Sequence, residues 1–250
     1  MKKPKNRTSQ IGFEDFRRLA RDESLSKYER IGFPDEYREG FERQIFDDIA
    51  GKLYNLQRQQ QTVLDIGPGC SDLPNMLINL CERNGHSLTL VDSEEMLRQL
   101  DDRPFLSKVT APYPDCPELI DGLSGAVDVI LCYSVLQYIV LDTAFFRFLD
   151  DSLSLLAPGG QMLIGDIPNV SKRKRFFSSE AGIRFHKDFM RTADEPVVRF
   201  NQIEHDQIDD AIVFAILGRA RSAGFDAYLL PQARSLPMAN RREDILIQRP

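Results

Sequence analysis

The chain has 250 residues, 42% of them hydrophobic, with four cysteines and a formal net charge of −6. That length carries a full apolar core, as one domain or a domain with an appendage. The acidic balance argues against sequence-independent nucleic-acid binding, which needs a basic excess to displace counterions, and no apolar run nears the length of a membrane span. Cys70, Cys81, Cys116 and Cys132 lack metal-ligand spacing, so no metal is expected and a reduced, cytoplasmic protein is.

In chain order, residues 1–12 carry Lys2, Lys3, Lys5 and Arg7 and read as a flexible tail. Residues 13–60 read as an N-terminal helical lid. One helix begins at Phe13, and Phe41, Ile45, Phe46, Ile49 and Leu53 form a second stripe at helical spacing. Between them the 28–38 segment combines Gly32 and Pro34 with Tyr28, Phe33, Tyr37 and two arginines. Exposed aromatics on such a loop are costly unless they cover something. Tyr28 and Tyr37 are therefore expected as lid tips over a substrate; the plainer expectation is that Phe33 and Tyr37 staple the N-terminal helices to the sheet.

Residues 61–250 read as the core. Strands near 62–66, 87–92, 105–110, 127–132 and 160–166 alternate with helices, which predicts a doubly wound α/β fold with a mostly parallel sheet. The rhythm breaks at about 168–204, an insertion with a basic run, Lys172 to Arg175, in a loop and a short helix over 183–190. Ile208, Ala211, Ile212, Ala215, Ile216 and Ala220 mark a long helix stopped by Gly224. Two final strands are expected at 225–230 and 244–248.

Val63-Leu64-Asp65-Ile66-Gly67-Pro68-Gly69-Cys70-Ser71-Asp72 is a strand running into a glycine turn, and Leu88-Thr89-Leu90-Val91-Asp92 is a second strand ending in an acid. Glycines allow a tight turn and close approach to a ligand, and an acid at the second strand tip is placed for ribose hydroxyls. A dinucleotide fingerprint needs a third glycine, where this chain has Asp72. Asp65 and Asp72 would also repel a pyrophosphate. S-adenosylmethionine has no phosphate and two cationic groups, so the pattern favours a methyl-donor site over a nicotinamide site; an ordinary tight turn is the bland alternative.

Segment 62–167 resembles the core of class I S-adenosylmethionine-dependent methyltransferases. Val63–Cys70 resembles their first motif and Leu90–Asp92 the second, while Val127 to Tyr138 resembles the fourth strand and its loop. Leu155-Leu156-Ala157-Pro158-Gly159-Gly160-Gln161-Met162-Leu163 resembles the turn into the fifth strand. The resemblance implies a seven-stranded sheet with an antiparallel last strand, helices on both faces, and S-adenosylmethionine as cofactor. It places Asp65, Ile66, Gly67, Pro68, Gly69, Asp92, Ser93, Tyr113 and Cys132 at the donor. The family's third motif is replaced by Thr110-Ala111-Pro112-Tyr113-Pro114-Asp115. A softer resemblance, to methyltransferases of bacterial surface-polysaccharide biosynthesis, implies a phosphorylated or sugar-linked acceptor methylated on oxygen or nitrogen.

Ligands of open α/β sheets sit beyond the carboxyl ends of the strands. That rule nominates Tyr133, Ser134, Gln137 and Tyr138 after strand four and Asp166 and Asn169 after strand five, with Tyr133 and Asp166 expected in catalysis and Tyr138 and Asn169 at the acceptor. Tyr133 and Tyr138 read equally as helix-start packing. His205, in Glu204-His205-Asp206, is the candidate general base, against the plain reading of a surface residue before a helix. Arg173 and Arg175 are expected to hold an anionic small molecule, against the plain reading of a solvated loop. The rival functions are a binding protein without turnover and an RNA methyltransferase. A second copy of the chain is kept open as a partner.

Overall fold

The computed structural model describes residues 12–142, 144–202 and 204–250. The expected tail lies outside them, apart from Gly12. Strands β1 (Thr62–Ile66), β2 (Ser87–Asp92), β3 (Leu106–Thr110), β4 (Val127–Tyr133), β5 (Leu156–Pro168), β6 (Asp226–Pro231) and β7 (Arg242–Gln248) form one sheet. Its order is β3-β2-β1-β4-β5-β7-β6. The first five strands pair in parallel, and β7 runs antiparallel to both β5 and β6. The fold expected from the alternation is the fold that forms.

The helices are α1 (Phe13–Arg21), α2 (Glu42–Lys52), α3 (Asp72–Asn84), α4 (Glu94–Leu97), α5 (Pro117–Leu123), α6 (Leu136–Asp142), α7 (Phe145–Leu155), α8 (Val170–Phe177), α9 (Glu180–Met190) and α10 (Asp210–Ser222). Alternate strand residues feed two apolar layers. Val63, Val129, Leu131 and Leu163 pack with Ile49 of α2 and Leu77 of α3. Leu64, Ile66, Ile130 and Cys132 pack with Phe148 of α7 and Val213 of α10. Strands covered on both faces read as near-continuous apolar runs, which is why β1 and β4 stood out.

Two expectations change. Helix α2 belongs to the core, with Ile49 and Leu53 fully buried. Only α1 and two short 3-10 turns, Glu29–Ile31 and Asp35–Tyr37, stand over the strand ends. The basic run is not a loop but lies in α8, where Asn169 Oδ1 accepts the N–H groups of Ser171 and Lys172 at 2.8 and 3.2 Å. Its like charges are tolerated because Glu204 pairs Arg173 and Lys174 at 2.6 and 3.0 Å, and Asp210 pairs Arg175 at 2.5 Å. The sheet reverses direction of growth between β1 and β4, the point where open α/β sheets take ligands.

Candidate active site

A cavity lies at that point, floored by the ends of β1, β2 and β4 and roofed by Phe13, Phe16, Ile31 and Phe33. Its glycine turn is obligatory. Gly67 and Gly69 have φ of +70° and +67°, and a Cβ on either would come within 2.7 Å of Val135 or Ile31. A side chain would be strained by the backbone and would fill the cradle.

Asp92 accepts the Gly69 N–H at 3.0 Å and the Ser93 N–H at 2.6 Å. An ionised carboxylate has about four acceptor positions, so about two stay open toward the cavity that Asp92 lines. Burial outweighs the two N–H bonds and lifts its pKa to about 6. Asp65 lies beneath the turn, 4% exposed. Burial first, then the charge of Asp92, pushes Asp65 up to about 8. Ile66, Pro68 and Tyr113 join the wall. Tyr113 presents its ring, because its hydroxyl sits 3.0 Å from Ser152 Oγ in the core. Ser93 stands behind the wall, its Oγ accepting the Met96 N–H at 3.3 Å as the cap of α4.

Cys132 is a correction. It is fully buried in the layer with Phe148 and Val213, because strand alternation turns it away from the cavity. Its thiol is pushed up by burial.

The other end of the cavity is built around Asp166, which has a left-handed backbone with φ of +58°. Ser134 donates its hydroxyl to Asp166 Oδ2 at 2.6 Å and accepts from Arg38 Nη2 at 2.6 Å. Arg38 is 2% exposed, stacks on Phe33 at 4.1 Å and reaches Asp166 Oδ2 at 3.4 Å. Arg242 Nη1 donates to the same oxygen at 2.9 Å and to the Asp166 carbonyl at 2.7 Å. Gln232 donates to Asp166 Oδ1 and to Asp244 Oδ1, both at 3.2 Å. Asp244 accepts the Asp166 N–H at 2.8 Å and the Lys52 ammonium at 2.6 Å. Both Asp166 oxygens are engaged by donors, so the side chain positions its neighbours instead of facing a substrate proton.

Tyr133 lines the cavity with its ring, while its hydroxyl lies 3.4 Å from Gln232. Burial and the nearby Asp166 charge push it well above the usual tyrosine range, so it keeps its proton. Tyr138 lines the cavity and meets Phe16 of α1 edge-on at 4.6 Å. Tyr28 is 6% exposed, capped by the Lys27 ammonium that also pairs with Asp72 at 2.5 Å, and lies off the wall. It packs within the N-terminal segment and is not a lid tip over the cavity. Tyr37 is half-buried under the Arg241 guanidinium, 5.7 Å from its ring, also off the wall.

His205 is exposed in a turn ahead of Asp209, the actual cap of α10, and touches neither the cavity nor the groove beside it. Among the described residues no histidine lines the cavity. Asn169 and Arg173 line that adjoining groove, and Arg175 faces away to Asp210.

Sequence reasoning missed Arg38, Glu42, Gln232 and Arg242, whereas Ser134 is one of the residues that the strand-end rule nominates. Arg38 lies in the aromatic 28–38 segment, and a charge among aromatics was its signal. Glu42 is 3% exposed; its Oε2 accepts the hydroxyl of the wall residue Ser71 at 3.4 Å. Burial raises its pKa against the pull of Arg38. Two of these buried polar atoms, Arg38 Nε and Glu42 Oε1, have no hydrogen-bond partner. Such orphans are uncommon in native folds.

No family model matches the chain, and no curated protein matches it. Solved structures share its fold. The N-methyltransferase NodS from Bradyrhizobium japonicum WM9, in complex with S-adenosyl-l-homocysteine, has a TM-score of 0.56 at 15% identity, covering 95% of this chain and 98% of that one. The plantazolicin methyltransferase BpumL, in complex with SAH, has a TM-score of 0.54 at 16% identity, covering 95% and 96%. The CurJ carbon methyltransferase has a TM-score of 0.54 at 17% identity over 90% of this chain, which spans only 61% of that protein's length. The shared feature is the Rossmann-like methyltransferase sheet with its reversed last strand.

Proposed function

We propose that the chain transfers a methyl group from S-adenosylmethionine to a small polar acceptor. One observation carries this reading: at the strand-tip end the glycine turn is flanked by Asp92, half-buried on the cavity wall, and by Asp65, buried beneath the turn, while the lining cation, Arg38, stands at the other end. A pyrophosphate is repelled there, whereas a nucleoside bearing a sulfonium and an ammonium is welcome. The neighbours NodS and BpumL, both in complex with the demethylated donor, support it.

The residues fit the donor at three places. Asp92 keeps the acceptor positions that ribose hydroxyls need. The turn at Gly67 and Gly69 leaves room that a Cβ would occupy. The unpartnered Arg38 Nε and Glu42 Oε1 offer a donor and an acceptor to the carboxylate and ammonium of the amino-acid end. The bound donor supplies a methyl already activated by its sulfonium. What remains for the chain is to align an acceptor atom about 3–3.5 Å from that methyl and keep it dry. Phe13, Phe16 and Tyr138 exclude water over the cavity mouth. Helix α1 is held by Arg17 on Glu95 at 2.9 Å, with Arg21 on the same carboxylate, and by Phe16 and Ala20 packed with Cys70 and Met96. This small contact set makes the roof the lid through which ligands enter.

The acceptor accepts on oxygen or nitrogen. The resemblance to polysaccharide-tailoring enzymes adds sugar-linked and phosphorylated compounds as candidates. Calorimetry of the full chain with S-adenosylmethionine and with NADH tests the donor. The expected result is binding of the first only; binding of NADH alone overturns the reading.

A further inference from the structure

Beside the cavity runs a groove whose wall includes Gln137, Asn169, Arg173, Asp206, Arg241 and Arg242. The two hollows share a partition. Gln137 and Tyr138 are consecutive on α6 and face one hollow each. Arg242 reaches through the partition to the Asp166 oxygen that also accepts from the cavity residue Ser134. A molecule seated in the groove therefore presents its far end to the cavity past Tyr138.

Three guanidinium groups meet in this groove, and their charges are not equally matched. Arg173 is paired with Glu204 at 2.6 Å, and Arg242 with Asp166 at 2.9 Å. Arg241 has no carboxylate partner among the described residues. Its Nη1 donates to the Asn240 carboxamide at 3.0 Å, and its guanidinium lies 5.7 and 6.0 Å from the rings of Tyr37 and Phe185. Burial, with Arg242 and Arg173 nearby, makes its protonated form costlier than usual. A half-buried guanidinium held between aromatic rings and facing two others invites an external anion. Asp206 lines the same groove as an exposed carboxylate. Among the described residues Arg241 makes no ion pair and suits a single negative charge, while the carboxylate of Asp206 on the same wall disfavours a second.

We propose that this groove is the acceptor's anion subsite and that Arg241, with Arg242, receives a carboxylate, so that the acceptor is a carboxylate-bearing small molecule. The proposal rests on the methyl-transfer reading and narrows its substrate class. It moves the anion contact from Arg175, which is spent on Asp210, to the connection before β7. A planar carboxylate matches the fork of a guanidinium with two parallel N–H bonds, while a phosphate monoester brings a charge the groove does not neutralise.

The test titrates the full chain, saturated with S-adenosylhomocysteine, with glucuronate, glucose 6-phosphate and glucose. The readout is the Arg241 side-chain N–H signal in NMR, assigned by its loss in Arg241→Gln. Glucuronate is expected to shift that signal with a dissociation constant in the millimolar range, and glucose to leave it still. Loss of one charge-assisted contact in Arg241→Gln should weaken glucuronate binding, followed on the Arg242 signal, about tenfold or more. Arg241→Lys should bind between the two, and Arg175→Gln like the parent. Tighter binding of glucose 6-phosphate through Arg241 overturns the carboxylate assignment, and no shift with either anion overturns the subsite. S-adenosylhomocysteine affinity, measured on the same proteins, reports on folding. Its absence in the parent chain overturns the donor reading, whatever the anions do.

Discussion

Asp92 and Asp166 both stand at strand tips around one cavity, yet their surroundings differ in kind. Asp92 is bonded by two backbone N–H groups and has another carboxylate, Asp65, as its neighbour. Asp166 is bonded by a hydroxyl, two guanidinium groups and a carboxamide drawn from four other segments. The first end is built to be completed by a ligand with positive charge. The second is neutralised within the protein and supplies a fixed shape. Rigidity at one end and unmet charge at the other divide the labour between positioning and capture.

The largest effect is expected at the self-neutralised end. Asp166→Ala would leave the buried Arg38 and the half-buried Arg242 without their shared partner, and breaking a buried ion cluster in this way costs roughly 3–5 kcal/mol. Urea unfolding should show that loss; a change under about 1 kcal/mol would mean that the cluster adds little and that the two ends are alike.

Asp92→Ala should instead leave the fold intact and weaken S-adenosylhomocysteine binding about tenfold or more, since each hydrogen bond to a charged group contributes about 1.5–3 kcal/mol. Calorimetry giving parental affinity in a folded variant would remove Asp92 from the site. The same contrast has a pH form. Because Asp92 takes up its proton near pH 6, donor affinity should fall as pH drops through that value. A flat profile from pH 7 to 5 would contradict it.

Asp65 makes a stability prediction of unusual sign. Its carboxyl holds its proton up to about pH 8 in the fold but only to its ordinary 3.8 when unfolded. Between those values the native state binds more protons, so this group makes stability fall as pH rises. Asp65→Asn should flatten that slope in ligand-free protein, measured by denaturation at pH 5 and pH 8. The smallest effect belongs to Arg175→Gln. With the pair 55% and 32% exposed, the loss should be within about 0.5 kcal/mol.

The same contrast explains what the sequence displays. The donor end is local: strand, turn and helix cap lie within ten consecutive positions, and Asp92 follows one helix later. Hydrophobic runs and glycines are signals of that range. The sheet was legible for the same reason, down to the two final strands. The Asp166 end is not local. Arg38, Gln232 and Arg242 reach Ser134 and Asp166 only through strand order, and no spacing in the chain announces that meeting. Cys132 shows a narrower limit: in a strand buried on both faces, composition does not say which face a residue takes. Helix α8 was read as a loop because only Val170 of its residues is buried, so it has almost no apolar stripe. His205 was judged from its proximity to a helix start, but α10 begins later, at Asp210, and the residue faces solvent.

The reversal of β7 has a consequence for how such a protein can change. Since β6 runs with the parallel strands and β7 against them, the 232–241 connection begins and ends on the ligand side of the sheet. A hairpin tip elsewhere in this fold would project away from the chemistry; this one delivers Gln232, Arg241 and, at its far end, Arg242 to it. Lengthening, shortening or rewriting that connection leaves every strand register intact and the glycine turn untouched. If this connection holds the acceptor as proposed, acceptor choice can drift on a hairpin while the donor residues, 140 or more positions upstream (232 − 92), stay unchanged.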